Sequence, residues 1–282
     1  MATRTLTSSP GLAGPYLRAA LGALPRPGSR PATLPDRELR REDARVDRDH
    51  LAAYARVCGF GLRDTLPGTY PHVLGFPLQM HLMSAGDFPL PLLGLVHVAN
   101  RIHVHRPVRT EEVLAVTVRA AGLRPHERGR QVDLVTEVDV AGERVWASTS
   151  TYLHRSGPAG GGSGGEPDAP TAGARWRLDS GLGRRYAAVS GDRNPIHLHP
   201  WTARALGFPR AIAHGMWTAA RCLADLEGAL PAGYVQEVGF RRPVLLPGTV
   251  AFTASEGDGR WSLDLRDARH GTPHLAGTVT PC

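Results

Sequence analysis

The stretch GMWTAARCLADLEGALPAGYVQEVGF, residues 215–240, decides the fold class. Ala219, Leu223 and Leu226 fall on one stripe at helical spacing, which predicts a helix from about Gly215 to Leu226. Pro231 and Gly233 end it, and the β-rich run YVQEVGF reads as a strand. Three more strands are predicted behind it, at TVAFTAS from Thr249, RWSLDLRD from Arg260 and HLAGTVT from His274. One apolar helix followed by consecutive strands is an α+β pattern, a helix lying on an antiparallel sheet.

The same order occurs earlier in the chain. Strands are predicted at LGLVHVANRIHVH from Leu93, EVLAVTVRAAGL from Glu112, RQVDLVTEVDV from Arg130 and RVWASTSTYL from Arg144. Short blocks also repeat in order. YARVCGF from Tyr54 matches YAAVSGD from Tyr186, and each is followed by a His at a turn, His72 and His214. HRPVRTEEVLAVTV from His105 matches RRPVLLPGTVAFTA from Arg241, with Ala115 and Thr117 set against Ala251 and Thr253. Three matching blocks in one order indicate a duplicated unit. Between the copies lies a Gly/Ser/Pro/Ala-rich stretch that cannot pack, the expected linker. The expected division is residues 1–155, a linker at 156–174, and residues 175–282.

Composition narrows the function. All 33 basic residues are Arg, the formal net charge is +7, and hydrophobic residues make up 41% of the 282 positions. Without Lys, a Schiff-base lysine and a phosphate-loop lysine are excluded. Arg suits phosphate, but these arginines are scattered rather than clustered with aromatics, so nucleic acid is not an expected partner. Cys58, Cys222 and Cys282 are too far apart for a metal knuckle, and their odd number speaks against a disulfide framework. The N-terminal stretch makes a poor signal peptide and no run is long enough to span a bilayer, so a cytoplasmic protein with no membrane association is expected.

The chemistry concentrates in YAAVSGDRNPIHLHPW, residues 186–201. Asp192, Asn194 and His197 lie within six residues, between the turn-forming Gly191 and Pro195. A carboxylate and an imidazole converging on one point can share a water and move its proton. Asn194 can bond a loop carbonyl or help to hold the imidazole. His214-Gly215-Met216 opens the long helix, where free N–H groups favour developing negative charge. Gly215 lets a carbonyl approach, an oxyanion site for an enolate. Acid, base and oxyanion donor together fit water addition or removal at the carbon beta to a carbonyl. His197 and His199 with His214 match no established ligand spacing, so no metal is expected.

The run Ser190-Gly-Asp192-Arg-Asn194-Pro-Ile-His197, followed by Ala213-His-Gly-Met216, resembles the signature of the MaoC-like (R)-specific enoyl-CoA hydratases, the hydratase 2 family. The likeness covers the C-terminal unit, and the duplication resembles the family's double-hotdog members. The resemblance implies two hotdog folds, each a long central helix on an antiparallel sheet. It implies Asp192 and His197 as the catalytic pair, Asn194 and Ser190 in support, and Gly215 as the oxyanion donor. The substrate would be an acyl-CoA, with no cofactor beyond the coenzyme A that it carries. An acyl carrier protein is the alternative carrier, and a homodimer is the expected assembly.

Gly59-Phe60 stands in the first unit where the second has Gly191-Asp192, and His72-Val73 where it has His214-Gly215. The first unit would thus be degenerate, leaving one active site per chain. Its apolar helix, with Phe76, Met80 and Met83, would either line a wide acyl pocket or simply fill core. Arg193, Arg210, Arg241 and Arg242 are candidates for the coenzyme's phosphates, and strand alternation would let only one of Arg241 and Arg242 face a ligand. The competing functions are a carrier-protein-linked 3-hydroxyacyl dehydratase and a non-catalytic acyl-thioester-binding subunit.

Overall fold

The structure is a computed structural model that describes residues 2–12, 14–16, 31–92, 94–155 and 173–282. In chain order the elements are β1 (Ala2–Leu6), β2 (Arg37–Ala44), α1 (Arg48–Cys58), α2 (Tyr70–Met83), β3 (Leu95–Val104), β4 (Leu114–His126), β5 (Gly129–Val140) and β6 (Glu143–Arg155). Then come β7 (Ala174–Leu178), α3 (Leu182–Ser190), α4 (Pro195–Leu198), α5 (Pro200–Ala205), α6 (Gly215–Asp225), β8 (Tyr234–Phe240), β9 (Gly248–Gly257), β10 (Arg260–Asp267) and β11 (Pro273–Pro281). The linker expected at 156–174 falls outside the described residues except for its last two positions, and Ala174 already begins β7.

Among the described residues eleven strands form one sheet, in the order β1-β2-β4-β5-β6-β3-β8-β11-β10-β9-β7. Read outward from the centre, β3, β6, β5, β4, β2 in one half mirrors β8, β11, β10, β9, β7 in the other. The halves join edge to edge through antiparallel β3 and β8, with Ala99 opposite Gly239 and Val104 opposite Tyr234. The joint removes an unpaired edge from each half. Only β1 falls outside the mirror, running parallel to β2. This is the double hotdog that the family resemblance implies.

Three of these strands had not been expected: β1, β2 and β7. Their sequences, ATRTL, RELRREDA and ARWRL, are charged and short of apolar residues. They lie at the sheet's two ends, where most side chains face water, so alternation is faint. Leu39 and Ala44 of β2 and Leu178 of β7 are the side chains they bury.

The helices follow from their apolar patterns. α2, YPHVLGFPLQMHLM, is apolar nearly all round and buries eleven of its fourteen residues, as an axial helix must. α6 buries Ala219, Leu223 and the following Leu226 as anticipated. It closes at Asp225, well short of Pro231. α1 and α3 both end on a glycine in the left-handed conformation, Gly59 at φ 88° and Gly191 at φ 75°; glycine meets no Cβ penalty there. The halves also share a core. Tyr54 of α1 and Tyr186 of α3 lie 6.3 Å apart between ring centres, and the His50 Nε2–H donates to Val189 O at 2.8 Å. A second cluster, including Leu39, Phe76, Met80 and Leu134, belongs to the first half alone.

Candidate functional site

Asp192 follows the left-handed Gly191 that ends α3, where the chain turns sharply towards α4. Ser190 Oγ accepts the Asp192 N–H at 3.2 Å, and Asp192 Oδ1 accepts the Asn194 N–H at 3.1 Å. Asn194 is the N-cap of α4, its Oδ1 accepting the Ile196 N–H at 3.3 Å. Asn194 caps the single turn that carries His197, and so helps to hold the imidazole. That cap, with Pro195 at the first helical position, aims His197 back at Asp192.

The His197 Nδ1–H donates to Ile212 O at 2.8 Å. A carbonyl can only accept, so Nδ1 carries the proton and Nε2 keeps its lone pair. His214 stacks on His197 at 3.7 Å between ring centres. Its Nε2–H donates to Asp192 O at 2.9 Å and lies 3.9 Å from Asp192 Oδ2. From sequence His214 reads as a cap or packing residue at the helix start; its side chain makes no cap hydrogen bond, and its ring packs on His197 and bonds Asp192 O.

Charge follows from this packing. Burial would raise the Asp192 pKa, but the His214 and His197 imidazoles, the Asn194 N–H and the Tyr16 hydroxyl together hold it below the ordinary carboxylate value. Burial lowers His197 and takes His214 down to about 3. The site at neutral pH is therefore one carboxylate facing two neutral imidazoles. Among the described residues, Asp192, His197 and His214 each bring a ring nitrogen or carboxylate oxygen within 4.8 Å of the others.

Gly215 is the first residue of α6, and no side chain caps the helix. A Cβ on it would lie 3.2 Å from the Phe240 ring. Glycine here lets Phe240 pack against the helix start while the N–H end of α6 stays open to the cavity.

That cavity, about 220 Å³, lies between the halves. Asp192, Asn194, His197, His214, Gly215 and Ser190 line it from the second half. From the first half come His72, Phe76, Met80, Met83, His97 and Tyr152. Phe76, Met80 and Met83 are thus both core residues and cavity wall. Burial takes His72 down to about 4 and His97 to about 3, so both are neutral wall residues. Sequence reasoning missed Tyr16, His72 and His97 as cavity residues, because nothing local to them signals a site.

Two expectations need correction. β8 ends at Phe240, so strand alternation does not apply to Arg241 and Arg242, and both line the cavity mouth. The His72–His214 correspondence also fails. Leu66 N–H donates to Val108 O and Thr110 N–H to Asp64 O; Ala213 N–H donates to Val244 O and Leu246 N–H to Ala211 O. This shared ladder sets Leu66 against Ala213, and hence Pro67-Gly68 against His214-Gly215. His72 lies a turn further into its helix. The first half therefore retains the glycine, but Gly68 is buried. Its carbonyl accepts the Trp146 Nε1–H at 2.7 Å, and the Tyr234 hydroxyl fills the space a Cβ would take.

Among known proteins, the family described as MaoC like domain matches residues 169–273. The 3-hydroxyacyl-thioester dehydratase X of Mycobacterium tuberculosis is 43% identical over 268 residues, 93% of this chain and 95% of that protein. A crystal structure of HtdX from that organism superposes with a TM-score of 0.80 at 41% identity, covering 87% of this chain and 100% of the solved one. Another protein of Mycobacterium tuberculosis, solved as a double hotdog fold, gives a TM-score of 0.52 at 13% identity over 85% of this chain and 93% of its own, a likeness of fold alone. With a relative so similar over nearly its whole length, the chain belongs to the MaoC-like dehydratase family, in its double-hotdog form.

Proposed function

We propose that the protein is a hydro-lyase of acyl thioesters. It catalyses the reversible hydration of a (2E)-enoyl-CoA to a (3R)-3-hydroxyacyl-CoA, at one active site per chain. The observation that carries this reading is the convergence of Asp192 and His197, whose carboxylate and ring atoms lie within 4.8 Å of one another, beside the open N-terminus of α6. The name of the 43% identical relative, a 3-hydroxyacyl-thioester dehydratase, supports the reaction class.

The chemistry follows from the protonation states. Asp192 Oδ2 and His197 Nε2 both present lone pairs, so both accept hydrogen bonds from one water. As the water oxygen bonds to C3, one of the two groups takes its proton. The C2–C3 π electrons move towards the thioester carbonyl, and the resulting enolate oxygen is stabilised by the Gly215 N–H and the α6 dipole. The proton then returns from the same group to C2, so one water is consumed and both groups regain their starting state. Dehydration is the reverse. Ser190 and Asn194 support the pair by fixing the turn that holds it. The acyl chain lies against Phe76, Met80 and Met83, and Arg241 and Arg242 at the mouth suit the phosphates of the carrier.

The test is hydration of short- and long-chain 2-enoyl-CoA, with product stereochemistry resolved, in wild type and Asp192→Asn. A 3R product in wild type and its near-complete loss in the variant is the expected result. No turnover of either CoA ester, with turnover of the carrier-protein-linked chain, would replace the substrate with the latter. No turnover of any of them would sink the hydro-lyase reading.

A further inference from the structure

A single helical turn near the N-terminus reaches across the molecule to the catalytic loop. Tyr16 N–H donates to Leu12 O at 3.1 Å, closing that turn. Leu12 and Tyr16 pack against the core cluster of the first half, yet their far ends meet the second half's Gly191–Arg193. A Cβ on Gly191 would come within 2.5 Å of Leu12 Cδ1. The Tyr16 hydroxyl accepts the Arg193 N–H at 2.5 Å and lies 3.1 Å from Gly191 O and 3.4 Å from Asp192 Oδ1. One hydroxyl thus touches three consecutive residues of the loop that carries the acid.

The two oxygens of Asp192 are treated differently. Oδ1 accepts the Asn194 N–H and shares the one Tyr16 hydroxyl proton with Gly191 O. Oδ2 has the neutral His214 at 3.9 Å and the cavity before it. A carboxylate held through one oxygen keeps the other in a fixed place and a fixed orientation, which proton transfer to a bound water requires.

We propose that Tyr16 is a positioning residue for Asp192: with the Asn194 N–H it anchors Oδ1, leaving Oδ2 to the reacting water. This rests on the role given above to Asp192. It also makes the active site composite, because the acid of the second half is held by a turn rooted in the first. The Tyr16 phenol stays protonated, since burial and the neighbouring Asp192 charge raise its pKa far above neutrality. It therefore has a proton to donate throughout the working pH range.

Tyr16→Phe removes the hydroxyl and keeps the ring packed. Turnover of a 2-enoyl-CoA would be followed against pH, with the Asp192 carboxyl titrated by carbon-13 NMR and the melting temperature recorded. The expected result is a kcat lower by about tenfold, the scale of a lost charge-assisted hydrogen bond. KM and melting temperature should stay near wild type. Asp192 should titrate at higher pH in the variant, because the hydroxyl favours its charged form. Wild-type kcat in Tyr16→Phe, or an unmoved Asp192 titration, overturns the proposal. Tyr16→Leu separates packing from positioning: a loss seen there and absent from Tyr16→Phe assigns the residue to packing and also overturns it. If wild type turns over no thioester, the functional reading fails by itself, and the Asp192 titration still decides Tyr16.

Discussion

Gly215 and Gly68 occupy matching places in the two halves, each following a strand-like segment paired to an Arg-Pro-Val run. One opens onto a cavity. The other is buried, with Trp146 bonded to its carbonyl and the Tyr234 hydroxyl packed against it. The helices α1 and α3 repeat the contrast. Each ends on a left-handed glycine, but the next residue is Phe60 in one half and Asp192 in the other. Phe60 is 7% exposed and stacks on Tyr54; the Asp192 side chain is 29% exposed, towards the cavity. In the first half the matching places are filled by aromatic side chains, Phe60 and Trp146 from the same half and Tyr234 from the second. The first half lines the cavity beside Asp192 through α2 and through Tyr16.

The largest effect should come from the second half. Asp192→Asn should lower kcat by ~100-fold or more, the scale of a lost acid–base group. If Asp192 and His197 act on one water, as proposed, adding His197→Ala should cost little further; a multiplicative loss in the double variant would show that they act separately. The reciprocal test is Phe60→Asp. An unpaired carboxylate at that buried position should destabilise the fold by about 3 kcal/mol, read from the urea midpoint. Placed in the Asp192→Asn background, it should restore no turnover; restored turnover would break the contrast between the halves.

The two glycines can be compared directly. Gly215→Ala would press a methyl against Phe240 beside the proposed oxyanion donor and should reduce kcat by about tenfold or more. Gly68→Ala should leave kcat alone and instead lower stability by roughly 1–3 kcal/mol, because the methyl collides with Tyr234. If Gly68→Ala proved the more damaging to turnover, the assignment of the active half would be wrong.

Acid should weaken the fold through the cavity's buried histidines. His72, His97 and His214 titrate at about 4, 3 and 3 in the folded chain, against 6.5 when free. The unfolded chain binds protons first as pH falls. Their contribution is therefore complete above 6.5 and declines from there towards the folded values. A thermal melt series should show the midpoint falling over that window. Smallest of all should be the effect of His72→Leu on stability at neutral pH, within about 1 kcal/mol, since His72 Nδ1 has no hydrogen-bond partner among the described residues. A large loss would mean that His72 holds something the wall depends on.

Much of this was legible in the chain. The central strands alternate and end at Gly, Pro or charged turns, so β3–β6 and β8–β11 could be placed within a few residues. The acid, the amide and the imidazole lie within six residues, so their convergence needed only one turn and one short helix. The strands β1, β2 and β7 at the two ends of the sheet were hidden because they carry arginines and few apolar residues, so alternation is faint. The repeat was seen, but pairing His72 with His214 followed residue identity; the true match is set by the backbone hydrogen bonds of Asp64 and Leu66, which place Pro67-Gly68 against His214-Gly215 without any likeness between Pro67 and His214.

The sequence by itself determined the α+β class, the duplication and the local chemistry of residues 190–197, because hydrophobic period and turn geometry act over a few residues. Tertiary structure alone decided which groups surround that chemistry. His214 reaches Asp192 across 22 residues, and Tyr16 does so across 176. The β3–β8 joint places the wall of one half against the acid of the other. Such contacts depend on how the halves close on each other, and no spacing along the chain encodes that distance.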